Sequence, residues 1–348
     1  METQQISLKE RWNALQQTNP HLRIRNAANE LGVSEAELLA TRCGEGVTRL
    51  RPEFKELLSQ IETLGYANAI TRNDSIVHER KGVYQNFTWS PHAALFVGED
   101  IDNRLFPSCW RSAFSVTEGE GEKIRRSIQL FDNQGTAVHK IYLTSQSDVA
   151  AFEKITADFK SENQEQTEVV DAFKKPVHPA ETRDAEPDYE QFKQEWVDLK
   201  DTHNFFGMIN RHKLHRIEAL ENAPSTHFAK KEGNDILRKA LLSASQSELP
   251  IMVFVGNRGA IGIHTGPVKK IVDHNEWLNV LDPEFNLHIK EQDIDQSWVV
   301  RKPTEDGEVT SIECFDKDGE LIITLFGKRK PGIPEMEEWR QLVASIQN

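Results

Sequence analysis

The chain has 348 residues and a formal charge of −13: enough length for two domains with proper cores, and the wrong sign for bulk association with DNA or an anionic membrane. Its three cysteines, Cys43, Cys109 and Cys314, form no Cys-x-x-Cys pair, which argues against a disulfide framework, a structural zinc or an iron–sulfur cluster. No apolar run reaches the roughly 18 residues of a membrane span, and Met1-Glu2-Thr3-Gln4-Gln5 has neither the basic nor the apolar region of a signal peptide, so a reduced, cytoplasmic protein without membrane insertion is expected.

Helical spacing dominates residues 8–64, with Trp12, Leu15, Leu31, Leu38, Leu39 and Leu57 on buried faces. Strands are expected at 67–71 and 75–78, around an Arg-Asn-Asp turn. Residues 124–130 alternate and turn at Asp132-Asn133-Gln134-Gly135 into 137–143. Asp148 then caps a helix carrying Val149, Phe152, Ile155 and Phe159. Residues 161–190 are acidic and polar, and Pro176, Pro179 and Pro187 mark them as a linker. The same plan follows: helices over 189–242, a hairpin of 251–255 and 260–264 around Gly256-Asn257-Arg258-Gly259, strands at 298–301, 309–315 and 321–326. Beyond Pro331 and Pro334 comes a closing helix with Met336, Trp339, Leu342 and Val343.

The two plans are copies. Ser127-Ile128-Gln129-Leu130-Phe131-Asp132-Asn133-Gln134-Gly135 recurs as Ser311-Ile312-Glu313-Cys314-Phe315-Asp316-Lys317-Asp318-Gly319, and Trp12/Leu15 recurs as Trp196/Leu199. Val77-His78 falls near Ile263-His264, and Trp110 near Trp298. This reads as a duplicated domain of roughly 160 residues, too long for a solenoid unit. The expected fold is α+β, a tandem structural repeat in which each half has helices plus an antiparallel sheet and the two large sheets stack. Residues 1–160 form the first repeat, 161–190 the linker and 191–348 the second repeat.

Duplication supplies an internal control. In Asp201-Thr202-His203-Asn204-Phe205-Phe206-Gly207-Met208, a helix start at Asp201/Thr202 brings Phe206 and Gly207 onto the face of His203. An imidazole for a metal, a ring for stacking and a missing side chain for close approach suit a flat metal-holding macrocycle. A capping or core histidine is the plain alternative. The first copy has Asn19 opposite His203 and no Phe-Phe, so the shared fold does not require the histidine, and one site per chain is implied. His212 turns to the opposite helix face and His215 starts the next helix. Arg104 and Phe106 share one face of a strand, and the repeat puts His288 opposite Arg104. Residues 27–38 imitate a DNA-reading helix-turn-helix, but Glu35 and Glu37 on the would-be recognition helix repel phosphate.

These residues together resemble the HemS/HmuS-type hemin-degrading (hemin transport) proteins of Gram-negative bacteria over nearly the whole length. The most specific pieces are the 201–207 stretch, Met252-Val253-Phe254-Val255-Gly256-Asn257-Arg258-Gly259, Trp298-Val299-Val300-Arg301-Lys302-Pro303-Thr304 and Arg104-Leu105-Phe106. The resemblance implies one heme b per chain, with His203 as proximal iron ligand and Arg104 on the distal side. It sets Phe106, Phe206 and Phe254 near the macrocycle, and Arg216, Lys302 and Arg329 near the propionates. His78 matches a secondary heme contact proposed in relatives; on its own it reads as a strand histidine. Two departures stand out: His215 where a small hydroxyl residue is expected, and Val97-Gly98-Glu99-Asp100 near Arg104 in place of an Asn-Pro turn.

Chemically, a neutral imidazole fills one axial position. Arg104, always cationic and no tight ligand, leaves the other exchangeable while donating hydrogen bonds there. The implied function is oxidative hemin degradation that releases iron, with His203 and Arg104 catalytic. The Gly256–Gly259 segment is a hairpin turn rather than a phosphate loop, and no flavin or nicotinamide fingerprint is present, so an outside reductase donates the electrons. The alternative is a non-enzymatic hemin carrier that passes heme to a separate oxygenase. Partners are hemin, the reductase, and an inner-membrane heme transporter or a downstream acceptor, with no nucleic acid.

Overall fold

The computed structural model of the chain describes residues 6–173, 177, 179–329 and 332–347. Readings placed on Met1–Gln5, Pro176 and Pro331 lie outside the described residues. The chain forms two compact units. The first comprises residues 1–72, 79–173 and 257–262, the second residues 73–78, 174–256 and 263–348.

The first half of the sequence runs α1 (Leu8–Thr18), α2 (Ile24–Leu31), α3 (Glu35–Ala40), β1 (Val47–Leu50), α4 (Phe54–Ser59), β2 (Gly65–Arg72), β3 (Ile76–Val83), β4 (Thr88–Trp89), β5 (Ala94–Val97), β6 (Asp102–Leu105), β7 (Trp110–Glu118), β8 (Arg125–Asp132), β9 (Ala137–Ser147) and α5 (Val149–Phe159). The second runs α6 (Tyr189–Val197), α7 (Asn204–Arg211), α8 (Arg216–Glu221), β10 (Ala229–Glu232), α9 (Ile236–Gln246), β11 (Ile251–Gly256), β12 (Ala260–Gly266), β13 (Ile271–His274), β14 (Trp277–Leu281), β15 (Phe285–Ile289), β16 (Gln296–Thr304), β17 (Gly307–Phe315), β18 (Leu321–Gly327) and α10 (Glu337–Ile346).

The expected α+β tandem repeat is present, with two nine-stranded antiparallel sheets. In the first unit β1-β7-β8-β9-β2 are neighbours in one sheet; β6, β5 and β4 extend the other sheet beside β12, whose residues 260–262 belong to this unit. The second unit repeats the order as β10-β16-β17-β18-β11, and β15, β14 and β13 follow β3, whose residues 76–78 belong to it. Each unit is thus completed by a short piece of strand from the other half of the sequence. Two strands overturn the all-helical readings of 8–64 and 189–242. β1 and β10 are four-residue end strands set between helices. Their polar sequences, Val-Thr-Arg-Leu and Ala-Lys-Lys-Glu, carry little period-two signal, and charge on an end strand discourages pairing with other chains.

The repeated turn explains itself in both units. Asp132 Oδ1 accepts from the backbone N–H of Gln134 and Thr136 at 2.9 and 3.0 Å; Asp316 Oδ1 does the same for Asp318 and Glu320, both at 2.9 Å. Gly135 and Gly319 close the turns at φ 77° and 80°, a region costly for residues with a Cβ. A Cβ on Gly135 would sit 2.3 Å from Ser34 Oγ, and one on Gly319 2.6 Å from the His215 ring. Ser34 and His215 are both N-caps with reciprocal capping boxes, to Glu37 in α3 and Glu218 in α8. His215, the unexpected residue before Arg216, therefore does a hydroxyl residue's job, accepting from Ile217 N at 3.3 Å through Nδ1.

The helix-turn-helix resemblance is one of shape alone. Gly32 turns α2 into α3, but Glu35, Ala36, Leu38, Leu39 and Ala40 of α3 are buried and Glu35 pairs with Lys140. A helix buried along its length has no face to offer a DNA groove. No helix among the described residues is long and apolar enough to cross a membrane.

Candidate functional site

In the second unit, helices α6, α7 and α8 cover part of one sheet face. Phe192, Trp196, Phe205, Met208 and Ile209 pack on Trp298, Val300, Ala229 and Phe315. Facing pairs carry one row across the strands, from Phe254 through Thr324, Glu313 and Trp298 to Lys231. Residues opposed in an antiparallel ladder point to the same side, so Phe254 and Glu313 share the face on which α7 packs. Phe254 stays half-buried, edge-on to Phe326 at 5.2 Å.

His203 is the N-cap of α7, with helical dihedrals. Asp201 holds it twice: Oδ1 accepts from the His203 backbone N at 2.9 Å and from its ring Nδ1 at 2.7 Å. A carboxylate only accepts, so Nδ1 carries the proton and Nε2 presents a lone pair. The backbone bond above all, then the ring bond and the charge of Arg329, hold the Asp201 carboxyl below its ordinary value. The His203 side chain is 84% exposed. Phe206, three residues on, is 65% exposed, while Phe205, Met208 and Ile209 turn inward. Gly207 faces nothing nearer than Arg211 Nη1 at 3.5 Å from a built Cβ. An imidazole with its free nitrogen outward, beside an exposed ring and a bare backbone, is the face that the sequence spacing predicted.

The basic residues are more committed than the sequence suggested. Arg216, first residue of α8, meets Glu313 with two bonds of 2.8 and 2.9 Å. Lys302 is buried and places Nζ 2.7 Å from the same carboxylate. Burial pushes Glu313 up, but Arg216 and Lys302 outweigh it and hold the carboxyl well below its usual range. Burial lowers the Lys302 ammonium, against the pull of Glu313. Arg329 is half-buried just past β18, near enough to Asp201 for its charge to act there. Glu218, in the first turn of α8, is itself held by Arg183 and Tyr189 at 2.6 and 2.8 Å, so the end of the linker fastens onto the helix that presents Arg216.

Arg104 and Phe106 belong to the first unit. Arg104 lies on β6 opposite Leu95 and pairs with Asp102 on the same strand face. Its repeat counterpart His288 occupies the matching place on β15, bonded through Nδ1 to Asn279 at 2.6 Å. Phe106 leaves the strand, and its N–H donates to Gly259 O at 2.9 Å. Of the two extra acids nearby, Asp100 is neutralised by Arg80, 2.7 Å away. His212 bonds Glu195 at 2.8 Å. His78 is buried, edge-on to Phe285 at 5.1 Å.

A haemin-degrading HemS.ChuX domain matches at residues 32–159 and again at 213–346. The chain belongs to this family. It is 38% identical to the hemin transport protein HemS of Yersinia enterocolitica over 343 residues, 98% of each chain, and equally to the hemin transport protein HmuS of Yersinia pestis. Among solved structures it is similar to holo-PhuS, a heme-binding protein from Pseudomonas aeruginosa, with 44% identity, 97% of each chain covered and a TM-score of 0.92. It is also similar to ChuS, described as an Escherichia coli heme oxygenase, with 37% identity, 97% and 99% coverage and a TM-score of 0.87.

Two residues of this candidate site escaped the sequence. Asp201 reads there as a cap, and Glu313 as one letter of the repeated turn motif. The signal for Glu313 was present: the first copy has Gln129 at that place, and a neutral residue turned into a buried acid demands cations around it.

Proposed function

We propose that the chain binds one hemin as substrate or cargo through His203 Nε2 and degrades it oxidatively to release iron, in the cytoplasm. The observation that carries this reading is the fixed, outward Nε2 of His203 beside exposed Phe206. The exposed ring and the oriented imidazole stand on one face of α7, and both gain partners when a flat apolar ligand lies against it. Heme-binding and heme-oxygenase relatives of nearly equal length support it. Hemin supplies the redox chemistry, and the protein supplies placement and charge. Asp201 selects the tautomer that leaves Nε2 as the acceptor and aims it. Arg329 and the solvent-facing part of Arg216 attract propionates by charge-assisted bonds. Lys302, buried and bonded to Glu313, contributes positive potential rather than direct contact. Arg104 is the distal donor, and an outside reductase provides electrons because the sequence carries no fingerprint of a flavin or nicotinamide site.

A carrier that hands hemin to a separate oxygenase is the second reading, favoured by the transport names of two relatives and by the pairing of Arg104 with Asp102. One equivalent of hemin, a reductase, NADPH and catalase separate the two. Loss of the Soret band with iron release and a defined tetrapyrrole establishes degradation. A stable band that moves only to an added acceptor protein establishes the carrier.

A further inference from the structure

Glu313 sits at zero exposure on β17, and its charge does more than balance two cations. The Lys302 ammonium lies 4.6 Å from the centroid of the Phe205 ring, and the Arg216 guanidinium 5.4 Å from it. Glu313 fixes both cations by hydrogen bonds of 2.7 to 2.9 Å, and the Ser311 hydroxyl donates to it at 3.1 Å. Phe205 is buried, edge-on to Trp196 at 4.6 Å. It is the second residue of α7, two positions after His203. A cation over an aromatic face is worth more once desolvated, so this ring ties the first turn of α7 to the buried carboxylate.

The first unit shows what the fold needs without that task. There the facing pair Trp298–Glu313 is replaced by Phe114–Gln129, so the strand register makes Phe114, not Trp110, the counterpart of Trp298; Gln129 donates to Ser127 at 3.0 Å. The same buried register accepts an amide. The acid in the second unit therefore answers to the site rather than to the sheet.

We propose that Glu313 is the positioning residue of the His203 site: by clamping Lys302 and Arg216 under Phe205, it fixes the start of α7 and so the direction of His203. The tie to ligand rests on the heme reading above; the tie to α7 does not. A simple counter-ion makes the opposite prediction, because Glu313→Gln would then release two cations to the propionates and hold hemin more tightly.

The test uses the full chain and two variants, Glu313→Gln and Phe205→Leu, the second keeping the charge cluster and removing only the ring. Hydrogen exchange by mass spectrometry reads residues 203–212 in the ligand-free protein. Hemin dissociation into excess apoglobin, with the Soret and visible spectra, reads the ligand. In both variants, exchange over 203–212 is expected to rise at least about tenfold with the first unit unchanged. Hemin should leave at least about tenfold faster, with spectra shifted toward that of His203→Ala. Adding Glu313→Gln to His203→Ala should accelerate loss no further. Unchanged exchange over 203–212, or tighter hemin in Glu313→Gln, overturns the proposal. If Glu313→Gln does not fold, Phe205→Leu decides by the same exchange readout. If the wild type takes up no hemin, the heme reading falls while the exchange result still judges Glu313.

Discussion

Asp201 accepts both the backbone N–H and the ring Nδ1–H of His203 through a single oxygen, at 2.9 and 2.7 Å. The carboxylate thereby selects the tautomer and fixes the ring without covering Nε2. Asp201→Asn retains a cap but presents a neutral acceptor, so hemin affinity should fall roughly 10- to 100-fold. His203→Ala should fall further and change the axial-ligand spectrum. Equilibrium titration at the Soret maximum checks both; equal affinity in the wild type and His203→Ala would remove His203 from the site.

Phe206 offers a contrast between stability and binding. Its ring is 65% exposed in the ligand-free chain, so truncating it removes little packing. Phe206→Ala should change unfolding free energy by less than about 0.5 kcal/mol. The same change should weaken hemin by about 1–2 kcal/mol, since the ring is desolvated only against the ligand. Urea unfolding and a hemin titration on one preparation measure the two quantities; a large stability loss without an affinity loss would make the ring a packing element.

The repeat, the α+β class and the face of α7 were legible in the sequence because each rests on local pattern. A turn motif repeats letter by letter, and His203, Phe206 and Gly207 share a face by helical spacing alone. β1 and β10 were hidden because they are short and polar and stand next to helices. The resemblance sets Lys302 near the propionates, but a lysine's partner across a sheet is set by register, which local pattern does not reveal. In the structure Glu313, eleven residues away, claims it. Nor could sequence show that β3 and β12 each complete the opposite unit, a feature that depends on long-range strand order.

Glu335 couples pH to the segment beside Arg329. It is buried, and both its oxygens accept from Thr310 N at 2.9 and 3.0 Å. Burial nonetheless pushes its carboxyl from 4.5 up to about 7. The folded state thus holds a proton that the unfolded chain releases, so this group's stabilisation is full below about pH 4.5 and is lost as pH rises toward 7. Glu335→Gln should remove that slope and be more stable than wild type above pH 7, by up to about 2–3 kcal/mol. Denaturation at pH 5 and pH 8 measures it; parallel pH dependence in the two proteins would show that Glu335 does not set the slope.

His139 acts with the opposite sign in the first unit. It is buried between Thr71, 2.9 Å from Nδ1, and the Tyr84 hydroxyl, 2.8 Å from Nε2. Burial lowers its pKa from 6.5 to about 3. The unfolded chain binds a proton that the folded chain refuses, so its contribution is full above pH 6.5 and drains away as pH falls toward 3. His139→Gln should shrink the loss of stability between pH 6.5 and 4 by a few kcal/mol, whatever its cost at neutral pH. Acid titration of the unfolding midpoint follows this; an unchanged acid slope would assign acid lability to other groups.

Arg104 tests the step from binding to degradation. Its guanidinium is paired with Asp102 on the same face of β6, and burial raises the Asp102 carboxyl even against that arginine. A partner whose ionised form is disfavoured by burial is one that an arginine can leave for a better acceptor. If Arg104 turns to the ligand during turnover, Arg104→Ala should bind hemin within about threefold of wild type yet degrade it roughly 100-fold more slowly, the usual loss for one electrostatic donor. Asp102→Asn, which releases the arginine, should then match or exceed wild-type turnover. Equal rates in wild type and Arg104→Ala, measured as Soret loss with reductase, NADPH and catalase present, would exclude Arg104 from the chemistry and shift the balance toward the carrier.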